Sequence, residues 1–328
     1  MGTLRYILAV LVLLSHAGFN IAGHHPGVMA VAVFYALSGY VMAALISGHY
    51  ASGAGAVPRF YLDRLLRIYP QYAVYAVVTA VWYAVTRQPT AFLQHPPGYS
   101  DVLNNVLVLP LNYYMYNGAD QFTLIPPAWS LGAELAFYLL APWLWRHWRV
   151  AATLGGASLA VQVLAWHGVL NSDWWGYRLL PGVLWVFLLG MAMYRLQASH
   201  QHRARLACAW VVPIFGAVSL WYLYMQGLLV RHYTLEVVLG VAFAVPAIHV
   251  LTRYRPGGIL RRMDEHLGNI SYGVFLNHFL LMWLCSWQAP LAPQSLLALV
   301  AASTLVSALT FHFVEKPVLQ RRRDLRHP

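Results

Sequence analysis

Long apolar stretches separated by short polar segments follow one another along almost the whole chain. Each approaches the roughly 20 residues that an α-helix needs to cross about 30 Å of hydrocarbon. The ten stretches cover about residues 4–22, 27–48, 68–86, 128–146, 150–168, 177–195, 207–226, 233–252, 267–288 and 294–314. This pattern predicts an all-α polytopic integral membrane protein with about ten transmembrane helices in one domain, residues 1–328.

The composition agrees with this pattern. Hydrophobic residues make up 60% of the chain and charged residues 9%, whereas soluble domains carry about 25% charged residues. The first apolar stretch lacks a small-residue cleavage site, so we expect a retained helix rather than a cleaved signal peptide. The net charge of +11 is explained by loop topology, and no nucleic-acid partner is expected.

The basic residues predict the orientation. With the N-terminus inside, the outer segments hold only Arg87, Arg178 and Arg231 of the 21 lysines and arginines. Positive charge concentrates in cytoplasmic loops, so both termini are predicted to be cytoplasmic, in a multi-pass protein of the cytoplasmic (inner) membrane. A basic tail at about 315–328 is expected to contact anionic membrane lipids.

One long extracytoplasmic loop is predicted at about 87–127. Its stretch from Asp101 to Leu109 has the composition of a short surface helix. The polar and aromatic run from Asn112 to Asn117 fits two interpretations. It anchors the chain at the membrane interface, or it forms a platform for a sugar ring.

The first apolar stretch carries Arg5 and His16. Eleven positions place both side chains on one face of a helix, roughly 16 Å apart along its axis. Glu134, about six residues inside the fourth span, is expected at the depth of His16. We therefore predict His16 as a general base and Glu134 as the carboxylate that orients it or stabilises its charged form. Arg5 could alternatively extend to the inner interface.

Other polar residues fall where a span should be apolar. Ser38 and Gly39 lie in the second span, Trp129 and Ser130 open the fourth, and His278 lies in the ninth. We predict that they support the site. The serines and the glycine fit helix packing equally well, and His278 fits a hydrogen bond between helices.

Two arginines on the inner side have the spacing of a phosphate site. Arg64 and Arg67 are three positions apart and share one helical face, where two guanidinium groups can hold phosphate. Ordinary positive-inside charge is the alternative. Neither a glycine-rich nucleotide loop nor a cluster with metal-ligand spacing is present, and no metal is expected.

Six motifs in chain order resemble those of the membrane acyltransferase 3 family. They are Arg5 with His16, Phe34-Tyr35-Ala36-Leu37-Ser38-Gly39, Arg64-Leu65-Leu66-Arg67 with Pro70, Trp129-Ser130-Leu131 with Glu134 and Phe137-Tyr138, Ile270-Ser271-Tyr272 with His278, and Glu315-Lys316-Pro317. The sequence departs from the family pattern at Tyr35, where phenylalanine is usual, and at Ala32 and Leu135, where many members carry an acid. The departures leave Glu134 as the acid of any proton relay.

The resemblance implies an O-acyltransferase of the stand-alone form, without the extra hydrolase-like domain. Such a protein moves an acyl group, usually acetyl, from cytoplasmic acyl-CoA to a hydroxyl of a surface or lipid-linked carbohydrate, such as exopolysaccharide or lipopolysaccharide. Acyl-CoA is then the donor, with its phosphates on Arg64 and Arg67 and its arm guided by Arg5. His16 acts as a base or is transiently acylated.

Two other classes of protein remain open from the sequence alone. A buried histidine and carboxylate also suit a proton-coupled transporter or flippase of a sugar or lipid-linked sugar, but a transporter needs no site for CoA phosphates. A scaffold subunit of an export complex would tolerate substitution of His16 and Glu134.

Overall fold

The computed structural model of the chain describes residues 1–51, 53, 55–197, 202–230, 232–254 and 256–326. This part is helical and contains no β-strand. The α-helices are α1 (Gly2–His16), α2 (Pro26–His49), α3 (Ala56–Thr86), α4 (Tyr99–Leu107), α5 (Tyr114–Asn117), α6 (Trp129–Arg146), α7 (Trp148–Trp166), α8 (Leu180–Gln197), α9 (His202–Met225), α10 (Thr234–Arg253), α11 (Gly258–Leu284), α12 (Pro293–Thr310) and α13 (Lys316–Arg326).

Five helical segments are long and apolar enough to cross a membrane, as expected of a multi-pass membrane protein. They are Pro26–His49, Trp148–Trp166, Trp174–Gln197, Thr234–Arg253 and Pro293–Arg326. Two of them include short π-helical turns, before α8 and between α12 and α13. A helix also lies at each of the other predicted spans, but the number of about ten crossings and the sides of the termini stay predictions.

The first helix is shorter than its apolar stretch. The span predicted to reach residue 22 was too long, because α1 ends at His16. Gly18 adopts the left-handed conformation with φ of +94°, and the amide of Phe19 donates to the carbonyl of Leu14 at 2.9 Å. Such a glycine cap closes a helix. His16 therefore lies in the last turn of α1, rather than inside a longer helix.

Helix α2 is the centre of the bundle, packed against α1, α8 and α10. Its contact with α8 depends on two glycines. A Cβ atom on Gly39 would overlap the carbonyl of Phe187, and one on Gly190 would overlap the carbonyl of Ala36. Small residues let membrane helices approach closely, so the close approach expected at Gly39 is made by the backbone of α8.

Helix α11 packs against α1 and α12 and holds the start of α1. The Asp264 carboxylate accepts hydrogen bonds from the amides of Gly2 and Thr3, at 3.1 and 2.8 Å, and pairs with the terminal amine of Met1 at 3.1 Å. Burial acts to raise the pKa of Asp264, but these hydrogen bonds outweigh it and hold the pKa well below its usual value. Asp264 thus satisfies free amides at the N-terminus of α1.

The segment from 87 to 127 contains short helices rather than one open loop. The surface helix expected from Asp101 is α4, which begins at Tyr99 and ends at Leu107 with an apolar exposed face. A 3₁₀ turn and α5 follow. Within the run from Asn112 to Asn117, Asn112 is buried and donates to the carbonyl of Arg178 at 3.1 Å. That contact attaches the segment to the turn before α8.

Candidate functional site

Two cavities meet inside the helical bundle. The first, here called the histidine cavity, has a volume of about 780 Å³ and is lined by His16, Arg178 and several aromatic side chains. The second, the arginine cavity, has a volume of about 480 Å³ and is lined by arginines and acids. Both are lined by Val31, Ser130 and Phe275. These three residues form a partition between the cavities.

His16 and His278 form a hydrogen-bonded pair at the histidine cavity. The Nδ1 atom of His16 lies 3.0 Å from Nε2 of His278, and the two rings are nearly parallel at 11°. His278 is fully buried and its Nδ1 lies 3.2 Å from the carbonyl oxygen of Val274. The expected hydrogen bond between helices at His278 is therefore present, and it involves the predicted base.

The hydrogen bonds assign the tautomers of both rings when they are neutral. The carbonyl of Val274 can only accept, so the proton of neutral His278 is on Nδ1 and its Nε2 carries a lone pair. That lone pair accepts the proton on Nδ1 of His16. The Nε2 atom of His16 is then the free basic nitrogen. His278 holds His16 in the form that a general base needs.

The observed hydrogen-bond partner of His16 is His278 rather than the expected Glu134. In the described part of the chain His16 makes no hydrogen bond to Glu134, which lines the arginine cavity instead. Glu134 lies close to Arg5 and to the hydroxyl of Tyr138. The physical reason is the packing of α1 against α11, which brings the face of α1 that carries His16 to His278 rather than to the carboxylate of α6.

The wall of the histidine cavity is aromatic. The rings of Trp82 and Trp283 stack with centroids 5.6 Å apart and planes 12° from parallel. The ring centroid of Phe279 lies 5.8 Å from that of Trp283 and 5.0 Å from that of His16. None of the residues from 112 to 117 lines this cavity, so the aromatic surface beside His16 is not the predicted platform. Trp82 and Trp283 lie far apart in sequence, in apolar helices where no local pattern distinguishes them.

Arg178 is a second feature that the sequence analysis did not identify as part of the site. It was counted only as an outer basic residue, yet it lines the histidine cavity. Its guanidinium carbon lies 4.4 Å from the ring centroid of Trp129, and its Nε donates to Asp173 at 2.7 Å. The supporting role of Trp129 stays a prediction, and in the structure its ring packs against a cation at the cavity.

The arginine cavity holds the predicted phosphate site, with its guanidinium groups paired to acids. Arg64 forms an ion pair with Asp63, and Arg67 forms one with Glu315. Asp63 is fully buried and also pairs with Arg322 at 3.0 Å. A phosphate group would therefore compete with carboxylates for Arg64 and Arg67. The two arginines were predicted from the sequence, but their acidic partners were not.

Arg5 differs from the other arginines of this cavity. It lines the cavity but makes no ion pair with any residue that the structure describes. The nearby acid is Glu134, and two like charges, Arg64 and Arg67, are also close. Since burying a cation without a close partner is unfavourable, a further anionic group near Arg5 would be stabilising.

The remaining predicted residues lie around the partition and the arginine cavity. Ser38 lines the arginine cavity, and its hydroxyl is 3.2 Å from that of Tyr138. Ser130 belongs to the partition and donates to the carbonyl of Pro127 at 3.0 Å. Among the described residues, no group of three or more His, Cys, Asp or Glu has the arrangement of a metal site.

Comparison with known proteins identifies relatives over most of the chain. The model of an acyltransferase domain matches residues 2–312. An uncharacterized protein of Aquifex aeolicus (strain VF5) is 30% identical over 193 residues, which are 58% of this chain and 84% of that protein. Acyltransferase MdmB of Streptomyces mycarofaciens is 26% identical over 353 aligned positions, covering 91% of this chain and 83% of that protein. No solved structure matches the chain.

Proposed function

Since the chain belongs to the acyltransferase 3 family and is a membrane acyltransferase, we propose that its donor is a cytoplasmic acyl-CoA. The acceptor is a hydroxyl of a surface or lipid-linked carbohydrate on the other side of the membrane, and the acyl group is acetyl. The observation that carries this proposal is the pair of cavities separated only by Val31, Ser130 and Phe275.

The arginine cavity supports the binding of CoA. Its arginines are Arg5, Arg64, Arg67, Arg322 and Arg326. Guanidinium groups recognise phosphate with charge-assisted hydrogen bonds, and CoA carries its phosphates at the nucleotide end of a long, narrow arm. We assign the phosphates to Arg64 and Arg67, with Arg5 deeper in the cavity. Glu134 balances the charge of Arg5, and the thioester end of the arm reaches the partition.

The chemistry is acyl transfer with His16 as the general base. Nε2 of His16 takes the proton of the acceptor hydroxyl, and the oxygen attacks the thioester carbonyl carbon. As the new C–O bond forms and the C–S bond breaks, CoA leaves as a thiolate and receives the proton from His16. His278 accepts a hydrogen bond from Nδ1 of His16 and thereby stabilises the imidazolium that forms in between.

The aromatic wall of the histidine cavity supports a carbohydrate acceptor. The C–H faces of a pyranose ring pack against aromatic rings, and the stacked pair of Trp82 and Trp283 offers such a surface near His16. We therefore assign to Trp82 and Trp283 the sugar platform that was one of the two interpretations of the residues from 112 to 117.

Mass spectrometry of surface glycans tests the proposed function. Cells with the protein are expected to carry an added acyl mass on one carbohydrate, and cells without it or with His16→Ala are not. The mass difference identifies the acyl group, and the fragments locate the sugar. Identical glycans in all three would contradict the proposal. Purified protein that transports sugar without acyl-CoA and does not bind CoA would indicate a transporter instead.

A further inference from the structure

The hydroxyl of Tyr35 is buried and makes no hydrogen bond within the described part of the chain. Tyr35 lies on α2 and is only 3% exposed. Leaving a buried polar group without a partner costs about 1–3 kcal/mol, and native structures contain few such groups. The ring itself is well packed, with its centroid 4.6 Å from that of Phe187. Packing accounts for the ring but not for the hydroxyl.

Tyr35 lies one helical turn from Val31, which is part of the partition. Val31, Tyr35 and Ser38 share one face of α2, at spacings of four and three residues, and all three line the arginine cavity. Val31 is also part of the partition. The hydroxyl lies within electrostatic range of Arg178 from the histidine cavity and of Glu134 from the arginine cavity. Tyr35 therefore lies at the arginine cavity, one helical turn from Val31 of the partition, where the acyl group has to pass.

Tyr35 and His16 also share a neighbour. Each lies within electrostatic range of Arg178, although one residue belongs to α2 and the other to the end of α1. In the proposed reaction, His16 deprotonates the acceptor hydroxyl, which attacks the thioester. The carbonyl oxygen of that thioester then gains negative charge and needs a hydrogen-bond donor. Around the partition, Ser130 already donates to Pro127, whereas the hydroxyl of Tyr35 has no acceptor among the described residues.

We propose that the hydroxyl of Tyr35 donates a hydrogen bond to the thioester carbonyl oxygen of the acyl donor at the partition. This inference rests on the proposed function and adds to it a catalytic residue particular to this chain, because phenylalanine is usual at this position in the family. When the acceptor oxygen bonds to the carbonyl carbon, an electron pair of the C=O bond moves onto the carbonyl oxygen. The tyrosine hydroxyl stabilises that negative charge until the carbonyl re-forms and the C–S bond breaks.

The test compares Tyr35→Phe with a matched control, Tyr50→Phe. The hydroxyl of Tyr50 is also buried, but it lies near Arg326 rather than at the partition, and Tyr50 lines neither cavity. Purified proteins are assayed with labelled acetyl-CoA and surface polysaccharide from cells that lack the protein. The readouts are kcat, KM for acetyl-CoA, Kd for CoA without its acyl group, and Tm.

Tyr35→Phe is expected to lower kcat about 10- to 100-fold, because one donor to an oxyanion contributes up to roughly 10²–10³-fold. The Kd for CoA stays within about twofold, since CoA lacks the thioester carbonyl. The Tm stays equal or rises, because the variant removes an unpartnered buried hydroxyl. Tyr50→Phe is expected to keep the kcat of the wild type.

Three results would overturn the inference. One is a kcat for Tyr35→Phe within about twofold of the wild type. Another is a loss of activity in Tyr35→Phe together with an equally large fall in Tm or in CoA affinity. That result would indicate a structural role. An equal loss of kcat in Tyr50→Phe would also contradict it. A wild-type protein that binds no CoA and transfers no acyl group would overturn the proposed function itself.

Discussion

The histidine cavity and the arginine cavity lie on either side of three residues, yet their walls have different chemistry. The histidine cavity has many aromatic side chains in its wall, and its arginine is already stacked on Trp129 and paired with Asp173. The arginine cavity is lined by ion pairs between helices, such as that of Arg67 with Glu315. The first suits a ring with few charges, and the second suits a polyanion. The contrast supports the proposal that two different substrates enter from two sides.

Removal of the proposed base, His16, is expected to have the largest effect on kcat. We expect His16→Ala to lower kcat roughly 10²–10⁴-fold, the usual contribution of a positioned general base. The Kd for CoA should not change, because His16 belongs to the other cavity. His167→Ala, an exposed residue at the end of α7, is the control. A parallel loss of CoA binding in His16→Ala would mean that the cavities do not act separately.

Replacing His278, the partner of the proposed base, is expected to have the next largest effect on kcat. His278→Ala is expected to lower kcat about 10- to 100-fold by leaving Nδ1 of His16 without its acceptor and its tautomer unselected. His278→Gln supplies an amide oxygen that can accept the same hydrogen bond, and it should recover part of the loss. The pH profile of kcat/KM should differ between the two variants. Identical profiles and rates would assign His278 to packing alone.

Arg5 tests the other side of the comparison. Because it has no ion pair within the described residues, replacing it should disturb the protein less than replacing Arg64, which holds buried Asp63. Arg5→Gln is expected to raise the Kd for CoA about tenfold, which corresponds to about 1.4 kcal/mol, with kcat at saturation unchanged. Calorimetric titration with CoA measures this. Arg261→Gln, at an exposed surface pair, should bind CoA like the wild type.

A smaller effect is expected at Asp264, which holds the start of α1. Asp264→Asn should lower the free energy of unfolding by about 1 kcal/mol near pH 7, as loss of a helix cap does. The hydrogen bonds that keep the pKa of Asp264 low stabilise the fold only while the carboxylate is charged. That stabilisation is present above the ordinary aspartate pKa of about 4 and is lost as the pH falls through the lower pKa of the folded state. The two proteins should therefore differ in Tm near pH 7 and converge in acid, and a constant difference would contradict this account.

The sequence predicted the helices well where apolar length and basic flanks determine them. Helices α2, α6 and α10 begin and end within a few residues of the predicted spans. The end of α1 was missed, because one left-handed glycine, Gly18, stops the helix inside an apolar stretch. A run of hydrophobic residues carries no signal for that, whereas a closer reading of Gly18 as a helix cap would have found it.

The types of residue in the candidate site could be predicted from the sequence, but which of them contact each other could not. Arg5, Arg64 and Arg67 do share a cavity, as expected from charge and helical spacing. The pairing of His16 with His278 depends on how α1 packs on α11, across 262 positions of sequence. Depth counted from helix ends favoured Glu134 instead. Periodicity indicates which face a residue occupies, but tertiary packing decides which faces meet.

The sidedness of transfer tests the central claim most directly. Protein is reconstituted in liposomes with a protease-accessible tag reporting the side of the N-terminus, which lies at the arginine cavity because Gly2 lines it. Labelled acetyl-CoA and polysaccharide acceptor are then supplied in all four combinations of sides. We expect transfer only with acetyl-CoA on the side of the N-terminus and the acceptor on the opposite side. Equal transfer with both substrates on one side would contradict the account.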